Sequence, residues 1–155
     1  MLNDLYSKDV LRHAATITRT ERLHAPQASA HRVSPICGSR ISIDLQMTDN
    51  IITDYAQDIH ACALGQAAAS IVAANIVGQT PQQLAVAAQQ MRTMLQEGGP
   101  PPTGDWAEFT ILEKVKEHQP RHGAVMLALE AALDAAGQIT GQPIEDTSVQ
   151  LTTKA

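Results

Sequence analysis

Alternating apolar and polar side chains predict a β-hairpin in the first half of the chain. Over residues 40–47 the apolar side chains fall on every second position, as in a half-buried strand: Ile41, Ile43, Leu45 and Met47. The tripeptide Thr-Asp-Asn at 48–50 predicts a turn, because Asp and Asn tolerate left-handed backbone. A second strand follows over about 51–59. Since an isolated hairpin is marginal in water, we expect helices on its apolar face.

Apolar side chains at helical spacing predict helices on both sides of this hairpin. The predicted segments are residues 4–16, 62–77, 80–96, a short helix around 105–115, and 120–136.

The ends of these helices carry residues typical of helix starts and stops. Ser7, Thr80 and Asp105 are the expected N-caps, and Gly78 and Gly137 are the expected stops. Residues 17–36 lack a helical pattern and contain two prolines, so they are predicted to be extended.

The composition favours one helix-rich domain. A chain of 155 residues with 3% aromatic residues must build its core from small and aliphatic side chains, which suits close helix packing. We expect a single domain over 1–137 and a mobile, threonine-rich tail over 138–155.

Charge and hydropathy exclude several classes of function. A net charge of −5 offers no basic surface for nucleic acid. No apolar run approaches the roughly 18–20 residues that span a membrane. The first residues do not resemble a secretory signal, so we expect a cytoplasmic location with reduced thiols. No Ser–His–Asp set, carboxylate pair or phosphate loop is recognisable, so we do not expect an enzyme.

The two cysteines, Cys37 and Cys62, flank the predicted hairpin, which folds its ends together. Cys62 falls where a strand gives way to a helix, and the unpaired N–H groups there stabilise a thiolate. Two thiolates favour zinc, iron or an iron–sulfur cluster, but such sites usually take about four ligands. Further donors have to come from a second chain, an outside thiol, or nearby side chains: Ser39, Asp58, His60 and His122.

Simpler interpretations exist for the same residues. Free cysteines are often inert core residues. A histidine on a strand, such as His60, is more often solvated than bound to a metal.

Several segments in order along the chain resemble the iron–sulfur cluster assembly scaffold family of the IscU, SufU and NifU N-terminal type. After Cys37-Gly38 and the hairpin, residues 62–70 read CALGQAAAS, where SufU-like members carry CAISQASAS. The segment 109–113 (FTILE) and the last helix continue the resemblance, which spans roughly residues 1–136.

The resemblance implies an α+β fold, a three-stranded antiparallel sheet with helices on one face. The additional strand is then expected within residues 18–36. It also implies that the protein assembles an iron–sulfur cluster, or holds iron or zinc, on three cysteines plus an aspartate or histidine. The implied partners are a cysteine desulfurase and cluster-acceptor proteins, and a homo-oligomer is compatible with this role.

This chain departs from the ligand set that the resemblance implies. Cys37 and Cys62 match the first two cysteines, while Ser39 stands in place of the aspartate and Ala124 in place of the third cysteine. Gly123 occupies the position of the histidine, and His122 is displaced by one residue, about 100° around a helix. We therefore predict a divergent member that binds iron or a cluster weakly, at low occupancy, through Cys37 and Cys62.

Two alternatives remain at this stage. One is an interaction module of the assembly machinery that has lost its ligand set. The other is a thiol or persulfide carrier, in which Cys62, whose pKa the helix N-terminus should lower, accepts a persulfide, or in which Cys37 and Cys62 form a reversible disulfide.

Overall fold

The computed structural model describes residues 5–142 and residue 144. The elements, in chain order, are helix α1, three strands, two helices, two 3₁₀ segments and a last helix. Their bounds are α1 Lys8–Ala15, β1 Ala28–Ser34, β2 Ser39–Thr48, β3 Ile51–His60, α2 Ala63–Asn75, α3 Pro81–Glu97, 3₁₀ segments Gly104–Glu117 and Gln119–Arg121, and α4 His122–Thr140.

The three strands form one antiparallel sheet in the order β1-β2-β3. Asp49 and Asn50 both have positive φ, and Thr48 pairs with Ile51, so β2 and β3 are joined by a two-residue turn whose backbone suits a twisted hairpin. The hairpin prediction is confirmed, and so is the further strand, β1, which the resemblance placed within 18–36.

Helices cover one face of the sheet. The apolar side chains of β2 face α4, and β3 packs against α2. Small residues allow these helices to approach closely: in α2 the run Ala67, Ala68 and Ala69 is at most 1% exposed. This is the expected α+β architecture.

Two helix starts form as predicted. The hydroxyl of Ser7 accepts a hydrogen bond from the N–H of Val10, and Thr80 forms a reciprocal capping box with Gln83. Both predicted N-caps are therefore confirmed.

The segment after residue 103 is a 14-residue 3₁₀ helix, and Asp105 does not cap it. Thr103 is at the N-cap position, while Asp105 accepts a hydrogen bond from Gln79. The 3₁₀ helix has three residues per turn, so side chains spaced by three line up on one face. The buried side chains follow that spacing: Trp106, Phe109, Leu112 and Val115.

The last helix continues past Gly137 to Thr140 and is capped by Gly141, which has left-handed backbone (φ 78°). The predicted stop at Gly137 is therefore wrong, because a glycine inside a long packed helix only weakens it by about 1 kcal/mol. Residues 138–140 are helical, and 143 and 145–155, most of the predicted tail, lie outside the described residues. Within the described part of the chain, no helix combines the length and apolarity needed to cross a membrane.

Candidate thiol site

Cys37 lies in the four-residue loop that joins β1 to β2. The loop is closed by the pair Ser34 and Ser39 and by a 2.8 Å hydrogen bond from the Gly38 N–H to the Ser34 carbonyl. Gly38 has left-handed backbone (φ 76°), which the tight turn requires. The loop presents a half-buried thiol beside Ile36, whose side chain is 77% exposed.

Cys62 lies beyond the end of β3, at the N-cap position of α2. The pairing of β2 with β3 ends with Arg40 opposite His60. Gly38 lies two residues before Arg40, and Cys62 lies two residues after His60. The two thiols therefore follow the same end of the sheet, as the hairpin predicts. Cys62 is partly buried against the core, and its side chain makes no capping hydrogen bond.

Two serine hydroxyls surround the Cys37 sulfur. Its Sγ lies 3.1 Å from Ser39 Oγ and 3.5 Å from Ser34 Oγ, and both serines are buried. Burial by itself raises the pKa of the Cys37 thiol, but hydrogen bonds from these hydroxyls and from the N–H groups of residues 37 and 39 outweigh it. The pKa of Cys37 is consequently lowered from its ordinary value.

The start of α4 packs directly against both thiol-bearing segments. A Cβ on Gly123 would overlap the Ser34 hydroxyl, and Ala124 packs against Gly65 of α2, where an added Cβ would lie 3.2 Å from the Ala124 carbonyl oxygen. Ala124 is 1% exposed. The positions that carry histidine and the third cysteine in the resemblance are thus filled by close packing between α4, β1 and α2.

The two candidate histidines are engaged elsewhere. His122 Nε2 lies 3.0 Å from the Val115 carbonyl oxygen, so this nitrogen donates to the end of the long 3₁₀ helix. His60 Nε2 lies 3.2 Å from Asp58 Oδ1 on the exposed face of the sheet. Of the additional donors predicted from sequence, the structure brings only Ser39 into contact with a cysteine.

The donor set at this end of the sheet is small. Residues 5–142 and 144 contain no group of three or more His, Cys, Asp or Glu side chains placed to hold a metal ion. Two thiols and one adjacent hydroxyl fall short of the four ligands that zinc or a [2Fe–2S] cluster usually takes. Chemically, this arrangement suits loose binding completed from outside the chain, or transfer of sulfur on a thiolate.

Sequence reasoning missed Ser34 and the close packing of Gly123. Ser34 is three residues before Cys37, and its role depends on a tight turn that the resemblance does not describe. The available signal in the sequence was the segment SPICGS over residues 34–39, in which two serines flank a short stretch that contains Pro35 and Gly38.

The family model for the NifU-like N-terminal domain matches residues 5–142 of this chain. A solved structure of a nitrogen-fixing NifU-like protein (N-terminal part) from Brucella abortus is 37% identical and superimposes with a TM-score of 0.89. The match covers 90% of this chain and 97% of the Brucella chain.

Two further solved structures share the fold at lower identity. One is a candidate iron–sulfur cluster assembly scaffold protein for the SUF system from the thermophile Fervidobacterium islandicum AW-1, with 17% identity, a TM-score of 0.78, and coverage of 85% of this chain and 96% of that one. The other is a hypothetical protein with 23% identity, a TM-score of 0.76, and coverage of 86% and 98%. No curated protein matches the sequence significantly.

Proposed function

This chain belongs to the NifU-like N-terminal domain family, and we propose that it acts as a scaffold in iron–sulfur cluster assembly, holding iron or a nascent cluster through Cys37 and Cys62. The observation that carries the proposal is that both thiols follow one end of the sheet, with Cys37 kept in a hydrogen-bonded loop. Iron and sulfide are the cargo, and the protein holds them without catalysing a reaction.

Two protein thiolates leave about half of a cluster's usual ligands to be supplied from elsewhere. We infer that a second copy of the chain or a small cytoplasmic thiol supplies them. The hydroxyl of Ser39 is the nearest further donor. His60 and His122 each make their contact through Nε2, so a ligand role for either ring falls to Nδ1. Such binding is weak and occupancy is low, which suits a cargo taken from a cysteine desulfurase system and passed to an acceptor protein.

Anaerobic reconstitution with iron and sulfide tests this proposal. We expect thiolate-to-iron absorption in the natural chain, and its loss in Cys37→Ser and in Cys62→Ser. Ser42→Ala, on the sheet face away from the helices, is a matched control that should keep the absorption. An unchanged spectrum in the cysteine variants, or no absorption in the natural chain, contradicts the proposal.

A third thiol can be added at the position where the resemblance carries one. Ala124→Cys should yield a cluster that survives a chelator longer than that of the natural chain, because it supplies a ligand from α4. Ala128→Cys, one turn further along the buried side of α4, controls for the mere addition of a thiol. Equal lifetimes in all three proteins would argue that Ala124 does not border the cargo.

A second candidate function is transfer of persulfide sulfur, which the lowered pKa of Cys37 favours. The Cys37 thiolate attacks the outer sulfur of a donor persulfide, a new S–S bond forms, and the donor leaves as a thiolate. In this candidate the persulfide acceptor is Cys37, whereas the sequence suggested Cys62. Mass spectrometry after incubation with a desulfurase and cysteine should find a 32 Da adduct on Cys37 (~32 Da per added sulfur atom). An adduct on neither thiol removes this candidate.

The remaining alternative is an interaction module that has lost its ligands. The small donor set among the described residues favours it. It predicts that the Cys37→Ser/Cys62→Ser double variant binds a desulfurase as tightly as the natural chain, and a loss of binding with the thiols rejects it.

A further inference from the structure

A cavity opens between the first half of α3 and the start of the long 3₁₀ helix, away from the thiols. Its volume is about 340 Å³, within the usual range for ligand-binding clefts. Much of its wall consists of carboxamide side chains on or just before α3, among them Gln79, Gln82 and Gln90. Val86 lies on the same helix, and the carboxylate of Asp105 and the indole of Trp106 line the cavity from the 3₁₀ helix.

Asp105 is the one ionisable side chain that lines this cavity. Its Oδ2 accepts a 3.0 Å hydrogen bond from Gln79 Nε2, and no described residue bonds to its Oδ1. No Lys, Arg or His lines the cavity, and the whole chain carries a net charge of −5. Phosphates and carboxylates are therefore disfavoured occupants, while a cation is favoured.

Trp106 forms part of the wall and is 5% exposed. Its ring stacks on Phe109 at a centroid distance of 5.8 Å, and its buried Nε1–H finds no acceptor among the described residues. Because Nε1 itself is buried, an occupant meets the indole ring rather than this N–H, and the N–H serves as a reporter close to the cavity.

The amide side chains narrow the class of occupant further. Each carboxamide both donates and accepts hydrogen bonds, as backbone peptide groups do. Val86, which is 43% exposed, and the indole ring offer apolar contact beside them. The cavity therefore matches a peptide backbone whose neighbouring side chain has an aliphatic stem and a positive end.

We propose that this amide-lined cavity binds an extended peptide segment of a partner protein, with a lysine or arginine side chain directed to Asp105. Gln82 contacts Asn50 in the β2–β3 turn, whereas the thiols follow the opposite end of β2. Ten strand residues separate the two ends, about 30 Å. The peptide site is thus distinct from the thiol site and does not depend on the proposed cargo.

The single tryptophan of the chain makes the proposal directly measurable. The ¹⁵N-labelled full chain gives one indole N–H signal, which is followed during titration with the acetylated N-methylamides of lysine, norleucine and glutamate at low salt. We expect a saturable shift with the lysine probe, about fivefold tighter than with norleucine, as for one charge pair near 4 Å in water. The glutamate probe should bind most weakly.

Substitutions assign the preference to the cavity. Asp105→Asn keeps an oxygen for Gln79 and should reduce binding of the lysine probe to the norleucine level, whereas Glu117→Gln on the same 3₁₀ helix should leave it unchanged. Val86→Lys, at a partly exposed position, should block the lysine probe even if Asp105→Asn disturbs folding. No saturable shift, equal binding of all three probes, or equal binding of a free diamine such as putrescine overturns the proposal.

Discussion

At the scale of single residues, hydroxyls from the two strands that flank its loop help to lower the pKa of Cys37. Ser34 ends β1 and Ser39 begins β2, so the hairpin closure itself brings both oxygens to the sulfur. The thiolate gains donors that an ordinary exposed cysteine lacks, and its pKa is lowered despite partial burial. The reactivity of this thiol should therefore depend on residues that are not themselves nucleophiles.

The pH dependence of alkylation tests this dependence. Cys37 should reach half of its maximal iodoacetamide rate at a lower pH in the folded protein than in the urea-unfolded chain, because the fold favours its thiolate form. Ser34→Ala and Ser39→Ala should each move that midpoint upward, and Ser42→Ala should not. The rates are followed by mass spectrometry of the Cys37 peptide, and an unmoved midpoint in both variants contradicts the role of the hydroxyls.

Asp44 is a second residue whose environment sets its behaviour. It lies on the sheet face away from the helices but is 1% exposed, because Arg22 (2.7 Å for both bonds), Ser29 (2.6 Å) and the Leu23 N–H (3.0 Å) cover its oxygens. The hydrogen bond from Arg22 is the main reason that the pKa of Asp44 is lowered, against the opposing effect of burial. Asp44 thereby holds Arg22 and Leu23, which precede β1, against the sheet.

Removing this charge should destabilise the protein at neutral pH. Asp44→Asn is expected to lower the free energy of unfolding by about 2–3 kcal/mol, the scale of charge-assisted hydrogen bonds. Because the folded pKa is lowered, this stabilisation is present above the unfolded pKa of about 3.9 and is lost as pH falls through the folded value. Urea unfolding should thus give a difference at pH 7 that shrinks below pH 4.

Asp49→Asn is the matched control for that measurement. Asp49 is exposed in the β2–β3 turn, where its positive φ suits asparagine. We expect a change within about 0.5 kcal/mol. A similar loss in both variants would assign the effect to charge in general.

At the scale of elements, the sequence predicted the types of most helices and strands, because their apolar periods are clear. The β2–β3 hairpin, the Thr80–Pro81 start and α2 follow from local pattern and turn residues. Strand β1 has no clean alternation, so it came from the resemblance alone. The long 3₁₀ helix was missed because four buried residues spaced by three also fit part of an α-helical face.

The site was less predictable than the fold, because it depends on contacts between elements distant in sequence. The hairpin predicts that the thiols share one end of the sheet. Local pattern does not predict the contact of Gly123 with Ser34 or that of His122 with Val115, because both depend on how α4 packs against other elements.

The packing of α4 on β1 gives a prediction at this scale. Alanine normally stabilises a helix by up to about 1 kcal/mol relative to glycine. Gly123→Ala should instead destabilise the protein by about 1–2 kcal/mol, because the new methyl group overlaps the Ser34 side chain.

A double-mutant cycle in urea with Ser34→Gly isolates that contact. The pair should be coupled, since removing the Ser34 side chain makes room for the methyl group. Additive effects of the two substitutions would show that Gly123 is not restricted by Ser34.

At the scale of the whole molecule, the sheet separates two surfaces of different chemistry. One end carries the two thiols and an exposed Ile36, and the other end carries the amide-lined cavity. The proposed cargo and the proposed partner peptide therefore do not compete for one surface. Among the described residues, the thiol end offers fewer donors than a cluster usually takes, so the proposed scaffold function requires a second chain or an outside thiol during loading.

Native mass spectrometry of the anaerobically reconstituted chain tests the central claim most directly, since the mass reports iron, sulfide, small thiols and the number of chains together. We predict that iron–sulfur cargo appears only on species that contain two chains or one chain with added small thiol, and that Cys37→Ser and Cys62→Ser abolish it. A loaded single chain without any outside thiol, or full loading of either cysteine variant, would contradict the account.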